Sequence, residues 1–427
     1  MVPVTAPPTG RLTVIQGAAV SIGAVLGTGV IGLPALGAQL AGPASLLAWL
    51  GLVMLSVPLA ATFAALGARH PDAGGVSTYV RRAFGARTAA IVGWCFYFAV
   101  PVGAPAAALF GGAYVAAAFG GGQRTTLVAA AAMILLVALS NFGGVRVSGR
   151  VQLGLAGLLI VLLLAATLAA LPHARADNLH PFAPHGWFAI ASAAAVLVWS
   201  FAGWEAVTPL AAEFRRPAHD LPRATAIALV VVSALYLAVA AASFLVLGQA
   251  TGSTEAPLAE LLAIGVGGPV RAITAGAAVL LTMGTMNAYF AGSAKLGAAL
   301  GRDGGLPVWF ARGSQAGEVP RRSLVVVSGL ATLGLAIAAV FGLGTRHLVL
   351  LTTGSFVLVY VVGTAAALRL LPRPSWAWRA AIVSLVAVIG LLFATGPYLL
   401  WTAVVSSAAL AYLRFRRRGG RVEPIAP

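Results

Sequence analysis

Two short stretches carry the residue types from which a site for a zwitterion is built. "GTGVIG" (27–32) lies inside the first long apolar run and sets Gly27, Gly29 and Gly32 beside Thr28. "WSFAGWEAVTP" (199–209) lies in the sixth such run and holds Gly203, Glu205 and Pro209. Residues of these types interrupt a helix, and a bilayer tolerates an interruption only where neighbouring groups satisfy the freed backbone. A broken helix ends in free C=O groups and restarts with free N–H groups. The restarting end, with its positive dipole, attracts a carboxylate. The carbonyl end attracts an ammonium group. Two antiparallel breaks at the midplane therefore hold both halves of a zwitterion, the part common to every α-amino acid. Gly27 and Gly29 let the backbone approach a ligand closely, and Thr28 adds a hydroxyl. Tight helix packing is the other use of such small residues. Two breaks at matching positions favour the ligand site.

Glu205 is the acidic residue expected well inside a span. An ionised carboxylate at the bilayer centre costs roughly 2.5–3.5 kcal/mol. The side chain is thus either a carrier that takes up and releases a proton or a structural acceptor for the broken backbone. Trp199, beside the second break, is placed to stack over a ligand or to pack as an ordinary aromatic. "FYFAVPVGAPAA" (96–107) implies a kinked third span that lines the cavity through Tyr97 and Pro101. "GTMNAYFAG" (284–292) offers Asn287, either as a polar ligand group or as a bridge between helices. Lys, Arg and His are missing from mid-span positions. A site for an acidic side chain would want such a cation, so neutral, apolar side chains are the favoured cargo. The fifth span has few oxygen ligands, which argues against sodium. His173, His180 and His185 share an irregular outer loop and are read as solvated rather than metal-binding, so no metal site and no cofactor are expected.

These residues must be held by membrane-spanning helices. The chain has 427 residues, 60% hydrophobic and only 9% charged, too little charge to cover a soluble surface. Apolar runs of about 20 residues recur, each long enough to cross the hydrocarbon core. Twelve spans are expected, roughly 13–41, 43–67, 88–118, 125–142, 151–171, 187–212, 223–248, 269–298, 323–342, 347–371, 379–396 and 398–413. The net charge of +17 does not mark a nucleic-acid binder, because the charges lie between apolar runs. Arg124, Arg175, Arg271 and Arg346 fall on one side of this alternation. Arg11, the loop arginines 69, 81, 82, 87, 146 and 150, those at 215, 216, 223, 302, 312, 321, 322, 369, 373 and 379, Lys295 near the same end of the eighth span, and the tail arginines 414, 416, 417, 418 and 421 fall on the other. That asymmetry puts both termini in the cytoplasm. The first apolar stretch is too long for a signal-peptide core and is read as a retained span. Cys95 is the single cysteine, so no intramolecular disulfide is possible. An amphipathic stretch around 258–264 is a candidate outer lid. The first and sixth spans each open a run of five and cross in opposite directions, the pattern of an inverted repeat with two discontinuous helices.

At these positions the chain resembles the amino acid–polyamine–organocation (APC) transporter superfamily. The resemblance rests on "GTGVIGLPA" (27–35), "HPDAGGVSTYVRRAFG" (70–85), "WSFAGWEA…EFRRPAHDLPRA" (199–224) and "GRDGGLP" (301–307). "VPVGAPAAAL" (100–109) and "TGSFVLVYVVGTAAALRLL" (353–371) are more similar to bacterial exporters of methionine and branched-chain amino acids. The resemblance spans about 11–415. It implies an all-α, LeuT-type fold with 5+5 inverted repeats (13–171 and 187–371) in a transporter core (13–371). That core lies between a short N-terminal segment (1–12), two further helices (372–413) and a basic tail (414–427). It implies that Gly27, Thr28 and Gly29 bind the substrate carboxylate, that carbonyls near Ala24 and Phe201 bind its ammonium, and that Trp199 acts as an aromatic gate. Glu205 matches a carboxylate linked to proton coupling. The fifth-span Lys of some relatives is absent, and Pro101 stands where arginine exchangers carry Asn, which disfavours a cationic cargo. The expectation is a transporter and not an enzyme: a proton-coupled exporter of neutral hydrophobic amino acids in a bacterial inner membrane. An exchanger or importer of the same fold is the alternative. A membrane amino acid sensor is disfavoured, since no sizeable soluble output domain is present.

Overall fold

The computed structural model describes residues 12–71, 75–144, 149–205, 208, 211, 214–267, 270–314 and 318–419. Arg11, Arg146, Pro209, Arg421 and the centre of the loop motif at 72–74 lie outside the described residues. The chain folds almost entirely into helices. Among the described residues the one β pairing is a parallel bridge between Leu12 and Phe214.

The first apolar run is two helices. α1 (Val14–Val25) opens with a capping box, in which Thr13 accepts from the Gln16 amide and Gln16 reaches back to Thr13. It stops at Leu26, whose backbone is no longer helical. α2 (Gly29–Ala41) restarts three residues later and turns through Gly42–Ala44 into α3 (Ser45–Arg69). A short amphipathic helix, α4 (Gly75–Phe84), leads into α5 (Ala86–Phe119), followed by α6 (Gly122–Phe142) and α7 (Gly149–Ala170). α8 (Ala189–Leu197) tightens into a 3-10 turn, Val198–Phe201, and regular helix then ends. The next α-helix among the described residues is α9 (Pro217–Ala242), which begins with proline at its first position, where no N–H is needed. α10 (Pro257–Val266), α11 (Val270–Arg302), α12 (Arg321–Phe341), α13 (Thr345–Leu370), α14 (Trp376–Ala394) and α15 (Leu399–Gly419) complete the chain.

Ten helical stretches among the described residues are long and apolar enough to cross a membrane, where the sequence reading counts twelve. The two counts differ where the chain breaks or turns sharply. Gly29–Arg69 joins α2 to α3 in one stretch, and the regions of α1 and α8 are too short once the breaks are removed. The chain is a multi-pass membrane protein.

Two ties position the breaks. Beside the bridge from Leu12 to Phe214, the Arg215 amide donates to the Leu12 carbonyl at 3.2 Å, strapping the start of α1 to the segment after the second break. The Tyr114 hydroxyl on α5 donates to the Ile31 carbonyl of α2 at 2.8 Å and accepts from the Leu258 amide of α10 at 3.2 Å. The stretch read as a candidate lid is therefore a helix fastened to α2. α5 passes through Pro101 and Pro105 as one helix. Pro101 cannot donate to the Tyr97 carbonyl, and the Ser293 hydroxyl of α11 takes that carbonyl instead, at 3.3 Å. Outside the spans, Arg81 reaches from α4 to Asp303 at 2.8 Å, and Arg302 adds a second bond at 3.1 Å. Partial burial pushes the Asp303 carboxyl up, but the hydrogen bonds and charges of the two arginines outweigh it and hold the group below its ordinary range.

Candidate functional site

A cavity of about 560 Å³ of empty space, open solvent at its margin included, lies where the two breaks meet α5, α11 and α13. The first break contributes Val25, Gly27, Thr28 and Gly29, and the second contributes Trp199, Ser200 and Ala202. α5 supplies Ala99, Val100, Gly103, Ala104 and Ala107, a stripe at three- and four-residue spacing. α11 supplies Thr285, Met286, Tyr289 and Phe290, and α13 supplies Thr352 and Phe356. Among the described residues that line the cavity, none is charged. Its polar side chains are the hydroxyls of Thr28, Ser200, Thr285, Tyr289 and Thr352 and the indole of Trp199; the rest is backbone and apolar side chain.

The breaks touch each other. α2 begins at Gly29 with no side-chain cap, and a Cβ added there would sit 2.5 Å from Ser200 Oγ and 3.0 Å from Ser200 Cα. No side chain fits between the two segments. On the carbonyl side, the Tyr236 hydroxyl of α9 lies 2.8 Å from the Val25 carbonyl and 2.7 Å from the Ser200 carbonyl. One hydroxyl hydrogen is thus shared between the end of α1 and the end of the 3-10 turn. Tyr236 is itself wedged against Trp49 and Phe201, with ring centroids 5.3 and 5.0 Å away. Tyr236→Phe is expected to leave the Ser200 carbonyl buried without a donor and to lower stability by about 1–3 kcal/mol. Thermal unfolding of the detergent-purified variant measures this; an unchanged midpoint would show that the shared bond carries no weight.

The structure sorts the residues named from sequence. Gly27, Thr28, Gly29 and Trp199 line the cavity. Trp199 also packs on Phe110, with centroids 6.0 Å apart, and the Phe110 ring fills the space beside Gly32 that a side chain would need. Ala24 sits in the last turn of α1, next to Val25, which lines the cavity. Phe201 is buried between Trp49 and Tyr236, and its carbonyl faces the Tyr360 hydroxyl at 3.3 Å.

Three side chains point elsewhere. The Tyr97 hydroxyl is spent on Ser323 of α12, at 3.2 Å from its carbonyl and 3.1 Å from its hydroxyl. Pro101 is buried on α5, and its backbone carbonyl lies 3.6 Å from the Cβ position of Gly334 on α12. Asn287 bridges α11 to α6, accepting from Asn141 at 2.7 Å and Ser140 at 3.0 Å. Helical geometry explains two of these placements, since Pro101 is two residues from both Ala99 and Gly103, and Asn287 is two from both Thr285 and Tyr289. A two-residue step rotates a side chain about 200° to the opposite face. Applied to "GTMNAYFAG", that rule separates Thr285 and Tyr289 from Asn287 without a structure.

Glu205 lies behind the cavity rather than on it. It is 3% exposed. Its Oε2 accepts from the Tyr360 hydroxyl at 2.5 Å and from the Gly203 amide at 3.0 Å, while Oε1 has no partner. Gly203 adopts φ of +141°, a backbone region that favours glycine, and this conformation turns its amide onto the carboxyl two residues on. Ser200, Thr285, Tyr236 and Tyr360 were not singled out from sequence. A lone hydroxyl in an apolar helix carries no signal of which way it faces. Among the described residues no three His, Cys, Asp or Glu side chains converge on a point that could hold a metal.

A membrane-embedded helical chain with a neutral cavity where an interrupted helix meets the end of another has the build of a carrier for a small solute. Comparison with known proteins makes the family plain: the amino acid permease family model matches residues 12–411, and the chain belongs to that family. It is 34% identical over 406 residues to the uncharacterized amino acid permease YecA of Bacillus subtilis, covering 94% of this chain and 95% of that one. It is 30% identical over 367 residues to the L-methionine/branched-chain amino acid exporter YjeH of Escherichia coli, covering 84% and 86%. An uncharacterized transporter of Mycobacterium tuberculosis, Rv1999c, is 29% identical over 367 residues, covering 84% and 80%. These relatives are named as permeases and transporters, not as enzymes.

Proposed function

We propose that the chain is a secondary active transporter that exports neutral hydrophobic amino acids, among them methionine, leucine, isoleucine and valine, in exchange for protons. The observation that carries this reading is the cavity itself, with backbone polarity at two helix breaks on one side and uncharged, mostly apolar walls on the other. A zwitterion head at the breaks leaves its side chain against Ala99, Gly103, Met286 and Phe356. A cationic or acidic side chain would meet no countercharge among the described lining residues. The exporter named for methionine and branched-chain amino acids supports the same cargo and direction.

In this reading the α1–α2 pair counts as one crossing and the α8 segment opens another, so the chain crosses the membrane twelve times. Residues 13–171 and 187–371 form two inverted repeats, 372–413 two further helices, and 1–12 and 414–427 cytoplasmic ends. The membrane is the bacterial inner one. Gly27, Thr28 and Gly29 take the carboxylate, the Val25 and Ser200 carbonyls held by Tyr236 take the ammonium, and Glu205 carries the proton. Transport proceeds by alternating access around a fixed midplane site.

Purified protein in liposomes tests this. Labelled methionine or leucine is expected to accumulate when a pH gradient is imposed and to stop when it is collapsed. Flux that ignores the gradient and instead requires amino acid on the far side would replace proton coupling with exchange. No flux of any neutral amino acid would overturn the reading.

A further inference from the structure

Ser200 is 2% exposed, lines the cavity, and its hydroxyl has no hydrogen-bond partner. Buried polar groups are normally satisfied, and an exception calls for a reason. The hydroxyl is not needed to hold its own turn, because Tyr236 anchors that turn through the Ser200 backbone carbonyl at 2.7 Å. What the hydroxyl faces is the start of α2. Ser200 Oγ lies 2.5 Å from the Cβ position that Gly29 leaves empty, and α2 starts at Gly29 without a side-chain cap, Thr28 included. Gly29, Val30 and Ile31 are buried, so the uncapped N–H groups of this helix start are shielded from bulk solvent. A free hydroxyl from the second break and free amides from the first therefore border the same part of the cavity. All of them are donors. The ligand group that matches several converging donors is a carboxylate, whose two oxygens accept about four hydrogen bonds.

We propose that Ser200 is a substrate-binding residue that donates its hydroxyl hydrogen to the substrate carboxylate, alongside the first amides of α2. The assignment rests on the reading of this cavity as an amino acid site. It makes the carboxylate a clamp across both broken helices. It also makes the contribution of Ser200 independent of the side chain being carried.

The test compares wild type with Ser200→Ala in the full-length purified protein. Binding of alanine, valine, leucine and methionine is measured by calorimetry, and thermal unfolding is followed with and without each ligand. Loss of a hydrogen bond to a charged group is expected to weaken all four by the same factor, about tenfold or more. The ligand-free unfolding temperature is expected to stay level or rise, because no bond within the protein is lost, while the ligand-induced shift shrinks. Unchanged affinity for all four would overturn the assignment. So would a loss confined to some side chains, which would put the hydroxyl on the side-chain pocket. A lower ligand-free unfolding temperature with unchanged affinity would assign the hydroxyl to the fold and likewise overturn it. Wild-type protein that binds none of the four overturns the amino acid reading, and this assignment with it.

Discussion

Gly29→Val is expected to abolish amino acid binding while leaving the protein in the membrane as a folded helical chain. Its Cβ would stand 2.5 Å from Ser200 Oγ and 3.0 Å from Ser200 Cα. The first contact is with a side chain that can rotate. The second is with backbone, which Tyr236 pins from the other side. The two breaks must therefore separate. Overpacking of this kind costs about 1–3 kcal/mol, which is roughly 5- to 150-fold in binding if the strain falls on the site. The remaining bulk of valine adds to that by entering the space between the helix start and the ligand. Gly51→Val is the matched control, because nothing lies within 4 Å of that Cβ position, and it is expected to bind as wild type does. The measurement is leucine affinity of both variants in detergent. Full affinity in Gly29→Val would remove the first break from the site.

Glu205→Gln is expected to keep the fold and the flux but to lose the response to a pH gradient. Glutamine is nearly isosteric. Its amide oxygen accepts from Tyr360 and Gly203 as Oε2 does now, and its NH2 takes the place of the unpartnered Oε1. What disappears is the ability to gain and lose a proton. Gradient-driven accumulation of methionine in liposomes should fall to the level reached without a gradient, while counterflow against unlabelled methionine persists. Glu205→Ala is a different lesion. It removes the acceptor from two buried donors and should cost about 1–3 kcal/mol of stability, eased where the Tyr360 hydroxyl turns to the Phe201 carbonyl 3.3 Å away. If Glu205→Gln transports with an unaltered pH dependence, the carboxyl is a structural acceptor and the proton travels elsewhere.

Much of this was legible in the residues themselves. Glycine clusters in the middle of long apolar runs mark broken helices, because helix propensity and bilayer burial act on the local chain. The breaks at 26–28 and after Phe201 accordingly stand where "GTGVIG" and "WSFAGWEA" put them. The lining residues of the first break were readable for the same reason. Facing was harder. Tyr97 and Pro101 are expected at the cavity and Asn287 either there or as a bridge between helices, and all three make helix–helix contacts, with Ser323, with α12 and with Asn141 and Ser140. An apolar helix buried on all sides has no polar face to betray its orientation, so periodicity alone names stripes without saying which stripe meets the cavity.

The sequence by itself determined that the chain spans a membrane many times, that its first apolar run is interrupted at 26–28 and that helix stops after Phe201, and that one carboxyl lies near that second stop. These are local facts, dictated by hydrophobicity over about 20 residues and by the backbone freedom of glycine. Only the tertiary structure decided what the interruptions meet. It set Gly29 against Ser200, put one tyrosine hydroxyl between the Val25 and Ser200 carbonyls, and withdrew Glu205 from the cavity wall onto Tyr360. Those pairings join residues from 36 to 211 positions apart. They depend on how close two backbones can come and on which lone donor finds which lone acceptor, and no property of either segment taken alone specifies that.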